Sequence, residues 1–147
     1  MTGYCVVLAT LLWVSAVPGG VAHEQAGPNP LVGHWRAVSG KFAGQELPSS
    51  QLPKEIMTFE NDGLWRDTEG NEATWVIDES TSPKTLELMY TAGRDRGKKQ
   101  FCVFEVAGDR LTVVYGVPGG RAEDRPVGLS TSGDNPNLVL FVFERVT

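Results

Sequence analysis

Two residues far apart in the chain bracket its most constraining feature. Trp35 lies in Leu31-Val32-Gly33-His34-Trp35, and Arg145 lies near the end of the chain. Between them, apolar residues recur at every second position in short runs separated by Gly, Asn, Asp and Pro. Period two with turn chemistry at regular spacing is the mark of strands with one buried face. Eight such runs are legible: 33–39, 55–60, 64–68, 72–78, 84–90, 99–106, 110–116 and 138–146. The run 72–78 alternates most cleanly, with Ala73, Trp75 and Ile77 on one side and Glu72, Thr74, Val76 and Asp78 on the other. The links Asn61-Asp62-Gly63, Glu69-Gly70-Asn71 and Ala107-Gly108-Asp109 hold residues that tolerate the positive φ of tight hairpins.

Sequential strands joined by hairpins predict an all-β fold, an eight-stranded antiparallel up-and-down barrel. Closure removes the exposed edges that a flat sheet would leave. A two-sheet sandwich is the alternative, but it needs longer crossovers than most of these links provide. Trp35 is expected to plug one end of the barrel, with Arg145 lying across it and Gly33 beside it. Pro48 and Pro53 exclude a long helix from the link 40–53, so at most one short helical turn is expected near 49–54, capped by Ser49 or Ser50. The link 117–137, rich in Gly and Pro, breaks the hairpin pattern and has room for a short strand or bulged edge at 125–130. A loop this long is either functional or a solvated excursion.

Residues 1–22 read differently. An uncharged apolar run from Tyr4 to Val17 ends at Pro18-Gly19-Gly20 and Val21-Ala22, the pattern of a signal peptide cleaved after Ala22, or alternatively after Ala16. The run is too short to span a bilayer once, which weighs against an uncleaved anchor. Export to the periplasm, cell envelope or extracellular space is the expectation, with 23–30 a flexible leader, 31–147 the folded domain and no stable membrane span after cleavage. Cys5 leaves with the signal, so Cys102 stands alone and no internal disulfide forms. In its apolar strand Cys102 reads as a small buried hydrophobe. A net charge of −5 argues against nucleic acid as a partner.

No reaction is legible. His23 falls in the leader and His34 on the outward parity of its strand, and a zinc site needs three or four convergent ligands. There is no nucleophile elbow and no phosphate loop. The acids Asp62, Asp67, Glu69 and Glu72 sit in hairpin turns without calcium-loop spacing, and Arg94, Arg96, Lys98 and Lys99 form a basic tip interrupted by Asp95. The expectation is therefore a non-enzyme with no catalytic residues, no metal and no cofactor. The aromatics say more. Trp65, Trp75, Tyr90, Phe101, Phe104 and Tyr115 are candidates to line a pocket for a small hydrophobic ligand, or else to fill the barrel. Leu138 to Phe143 is apolar on both faces, so its outer side needs cover from the leader, the link 117–137 or a second subunit, which would make a homodimer through the last strand.

Several segments, taken in order, resemble a known family. They are Leu31-x-Gly33-x-Trp35, Gly44-x-Glu46-Leu47-Pro48, Met57-Thr58-Phe59-Glu60, Ile77-Asp78 with Pro83-Lys84, and Gly97-Lys98. Phe104-Glu105-Val106-x-Gly108-Asp109-x-Leu111, Arg125-Pro126 and the closing strand to Arg145 complete the set. Together they resemble the small lipocalin-like domains, mostly uncharacterised, of planctomycete bacteria. The resemblance implies a lipocalin-like barrel, usually exported, with no assigned activity. In lipocalins a Gly-x-Trp sits at the closed end and an Arg near the last strand packs on the indole; Gly33, Trp35 and Arg145 hold those positions here. The chain departs from lipocalins in lacking their long helix after the eighth strand, and the mature chain lacks their disulfide, which weakens any carry-over of their ligand class. Two functions follow: an exported module that binds a small apolar or amphipathic ligand inside the barrel, or a filled barrel serving as a non-catalytic interaction or structural domain in the cell envelope. A cavity of roughly 300 Å³ or more separates the first from the second.

Overall fold

The computed structural model describes residues 29–147, so the expected signal peptide at 1–22 and most of the expected leader at 23–30 lie outside the described residues. The strands are β1 (Gly33–Phe42), β2 (Gln45–Glu46), β3 (Ile56–Phe59), β4 (Leu64–Asp67), β5 (Glu72–Asp78), β6 (Lys84–Ala92), β7 (Lys99–Ala107), β8 (Arg110–Tyr115) and β9 (Val139–Arg145). They hydrogen-bond antiparallel in the order β2-β1-β3-β4-β5-β6-β7-β8-β9, and β9 pairs back onto β1. The result is a closed eight-stranded up-and-down barrel with β2 as an added edge. Among the described residues no helix is long and apolar enough to cross a membrane.

Closure runs along the β1–β9 seam, from Trp35 opposite Arg145 to Phe42 opposite Val139. The register shifts between Ala37 and Ser39, a bulge that turns Val38 outward and lets the long strand bend around the barrel. β1 runs past its expected end because Ala43-Gly44 returns the chain into β2. Both residues take positive φ, +51° and +79°, as a two-residue hairpin requires. Ala-Gly is a weak hairpin signal beside Asn-Gly, which is why the sequence pattern ends this strand at Ser39.

Two isolated 3-10 turns complete the structure, Ser49–Gln51 and Ala122–Asp124. The first falls in the expected place, but neither serine side chain caps it; extended Pro48 occupies the cap position, and the serines fall inside the turn. The second lies in the link 117–137, where the sequence suggested a strand or bulged edge at 125–130; no strand forms there.

The closed end is built around Trp35, which is fully buried and donates its indole N–H to the Leu31 carbonyl at 2.9 Å. The Arg145 guanidinium lies over the indole, 4.3 Å from the ring centroid. The same guanidinium donates to the carbonyls of Val32 and Pro30, both at 2.8 Å, and pairs with Asp109 at 3.3 Å. One side chain thus ties the entry of β1, the end of β9 and the β7–β8 turn together. Gly33 makes this geometry available: its φ is +140°, and a Cβ there would occupy the position of the guanidinium. Leu31, Phe59, Leu86, Leu111 and Val113 pack with Trp35 below the clamp.

A second apolar cluster lies outside the wall. Val103, Val114 and Leu140 point away from the interior, on the opposite parity to Cys102, Val113 and Phe141, and pack with Leu129, Leu138 and Val142. The end of the long link therefore covers the outer face of β7–β9. Arg125 anchors the middle of that link: it sits 5.0 Å from the Phe101 ring, donates to the Cys102 carbonyl at 3.3 Å and approaches Glu87 at 3.9 Å. Among the described residues, the link provides part of the cover that the sequence calls for on this face.

Replacing Trp35 with Ala should destabilise the fold by about 3–5 kcal/mol in urea titration, since a buried indole leaves a large cavity. Arg145→Lys should cost about 2–3 kcal/mol, because an ammonium cannot hold two carbonyls while stacking on the ring. A loss under about 1 kcal/mol in both would contradict the clamp.

Candidate functional site

Strand parity decides which side chains enter the barrel, and depth decides what they do there. At the closed end the interior is packed. At the opposite end, beneath the β4–β5 and β6–β7 turns and the start of the long link, the interior opens into a cavity of about 360 Å³. Its inner wall is Met57, Trp65, Tyr90, Tyr115, Phe141 and Phe143. Tyr115 and Phe141 lie edge to face at 6.1 Å, as do Phe141 and Phe143, and Trp65 meets Tyr90 perpendicularly at 5.8 Å. Such offset contacts hold aromatic walls in fixed orientation. A larger groove, about 470 Å³, runs along Thr81–Lys84 and Phe104–Val106 beneath Leu129, outside the barrel.

Three of the six aromatic candidates, Trp65, Tyr90 and Tyr115, line this cavity. The other three do not reach it. Trp75 packs against the core edge to face with Phe59 at 5.6 Å and donates its indole N–H to the Leu64 carbonyl at 3.1 Å. Phe104 is buried in the closed half. Phe101 has the wrong parity and lies on the outer wall beneath Arg125. Met57, Phe141 and Phe143 also form the wall, although as residues of plain apolar strands they gave no separate signal.

Gln100 was missed as well. It is buried, accepts a hydrogen bond from the Tyr90 hydroxyl at 2.5 Å and donates to the Gly116 carbonyl at 2.8 Å. This polar chain fixes the Tyr90 ring and ties the start of the long link to the cavity floor. In sequence Gln100 is only one polar break before an apolar run. The Trp65 indole N–H is the exception to this satisfaction: it is buried and has no hydrogen-bond partner among the described residues. An unpaired buried donor of this kind costs on the order of 1–3 kcal/mol.

The rim gathers turns that look unrelated in the sequence. Asn71 from the β4–β5 turn accepts the Arg94 backbone N–H at 3.3 Å, bringing the acidic turn and the basic tip side by side. Glu55, Asp67, Glu69, Arg94 and Asp95 all border the opening. Asp67 is held by its own turn, accepting from the Glu69 and Asn71 backbone N–H groups. A side-chain hydrogen bond with Glu55, and then the charge of Glu55, push the Glu69 carboxyl above its ordinary value. Asp95 draws in both Arg94, at 3.8 Å, and Lys98, at 3.7 Å.

Among the described residues no group of three or more His, Cys, Asp or Glu converges to hold a metal ion. His34 is exposed and contacts the Thr58 hydroxyl at 2.8 Å. Cys102 is fully buried in the packed interior. No family model matches the chain, and no curated protein matches it significantly in sequence.

Burial pushes the Cys102 thiol up to about 12, and it pushes the Tyr90 and Tyr115 phenols above their ordinary range. All three are neutral when protonated, so the unfolded chain releases these protons at lower pH than the folded one. Their contribution to stability is complete below about pH 9 and is lost as pH rises toward 12. Urea midpoints should therefore fall above pH 9, and less steeply in Cys102→Val. At pH 8 the native Cys102 peptide should resist iodoacetamide and become labelled only in denaturant, as read by mass spectrometry.

Proposed function

We propose that this chain is an exported, lipocalin-like, non-catalytic binding module that takes a small apolar or amphipathic molecule into the open end of its barrel. The observation that carries this reading is the contrast between the two ends: one is closed by Trp35 beneath Arg145, and the other opens into about 360 Å³ walled largely by aromatic side chains. That volume is within the range of small-molecule sites, and such sites are mostly apolar with a few fixed polar groups. Tyr90 and Gln100 would be those groups. The export half of the proposal rests on the apolar run 4–17 and its small-residue exit. Membership of the planctomycete lipocalin-like domains rests on the ordered motifs from Leu31 to Arg145.

The test is titration with N-phenyl-1-naphthylamine, an uncharged apolar fluorophore. Saturable 1:1 enhancement is expected. Val139 borders the opening, so Val139→Trp should fill it and weaken binding about tenfold or more, with the circular dichroism spectrum retained. Absence of saturable binding, or binding indifferent to Val139→Trp, would favour a filled barrel acting as an interaction domain in the cell envelope.

A further inference from the structure

The uncharged polar groups of the cavity wall are few, and the direction of their hydrogen bonds is fixed. Tyr90, Gln100 and Tyr115 stand on β6, β7 and β8, three neighbouring strands, and all three border the cavity. The Gly116 carbonyl can only accept, so Gln100 must turn its amide Nε2 toward it, at 2.8 Å. That places Gln100 Oε1 against the Tyr90 hydroxyl, at 2.5 Å. An amide oxygen also can only accept, so the Tyr90 proton is committed to Gln100. Both side chains are buried, which keeps water from competing for this chain of bonds. Tyr90 is left with the lone pairs of its oxygen. The Tyr115 hydroxyl is less committed: its contact is the Met57 sulfur at 3.8 Å, a weak acceptor.

We propose that the preferred occupant is an apolar molecule carrying a neutral hydroxyl, and that Gln100 is a positioning residue that sets this preference by holding the Tyr90 hydroxyl as an acceptor. This rests on the binding reading above and adds the polar group that the occupant carries. An alcohol gives its proton to Tyr90 Oη. An ether has no proton to give, and against Tyr90 it sets lone pair against lone pair. Tyr115 can donate to the oxygen of either molecule, so the discrimination falls to Tyr90. A wall without a fixed acceptor would favour the ether, because an alcohol entering it gives up a donor hydrogen bond to water that the ether never made.

The experiment compares 1-decanol with its isomer 1-methoxynonane as competitors of N-phenyl-1-naphthylamine. The two hold the same atoms and differ in whether the oxygen carries a proton. Decanol should compete about fivefold more tightly, the net worth of one hydrogen bond. Tyr90→Phe should remove most of that preference by weakening decanol while leaving the ether unchanged. Gln100→Leu should free the Tyr90 proton, so that the ether tightens and the preference narrows; a merely structural role for Gln100 would weaken both isomers alike and leave their ratio intact. Equal competition in the unaltered protein, or the ether ahead, overturns the hydroxyl preference while the binding reading stands. A preference that survives Tyr90→Phe overturns it as well. Failure of the fluorophore and both isomers to bind overturns both readings. The isomer comparison uses the unaltered protein, so its result does not depend on the variants folding.

Discussion

The fold depends on one contact, the Arg145 guanidinium laid over the Trp35 indole. A closed sheet must join its first and last strands, and hydrogen bonds along the β1–β9 seam set register without covering the end of the barrel. Arg145 supplies the cover. Its planar fork satisfies the carbonyls of Pro30 and Val32, which would otherwise hang free where the chain enters the barrel, while its face shields the ring. Lysine could supply the charge but not this geometry. Gly33 belongs to the same device because only a residue without a Cβ leaves the guanidinium its place.

Trp35, Phe59 and the leucines of β6 belong to one core cluster with Met57, Trp65, Tyr90 and Phe143, and the last four also wall the cavity nearer the open end. Aromatic rings held edge to face by their neighbours can wall a space without collapsing into it. The long link 117–137 serves the outside instead, with Leu129 and Leu138 on the outer sheet face and Arg125 pinning its middle. The link thus contributes cover to the apolar outer side of β9.

Much of the architecture was legible because period two and turn residues report local geometry directly. The eight barrel strands follow their alternation, and Trp35 and Arg145 were marked by their places in the first and last strands together with the resemblance to lipocalin-like domains. The added β2 was not, because Ala43 takes a positive φ that its residue type does not advertise. The cavity was only half legible. Parity can be read from sequence, and it separates inward Trp65 from Trp75 on neither ground, since both face in; what separates them is depth along the barrel, set by the stagger of neighbouring strands. Phe101 could have been excluded by parity, had Gln100 been recognised as an inward polar group rather than a break in the pattern. The rim was invisible because Glu55, Glu69 and Arg94 come from three separate links that closure brings to one opening.

The central claim is that the two halves of the barrel interior differ, one packed and one able to receive a molecule. The indole N–H resonances of Trp35, Trp65 and Trp75, assigned by single Trp→Phe variants and followed by NMR while N-phenyl-1-naphthylamine is added, test it directly. The Trp65 resonance should shift progressively to saturation while those of Trp35 and Trp75 stay in place. Movement of the Trp35 resonance with Trp65 unmoved would contradict the account, because the occupant would then be entering at the end held shut by Arg145.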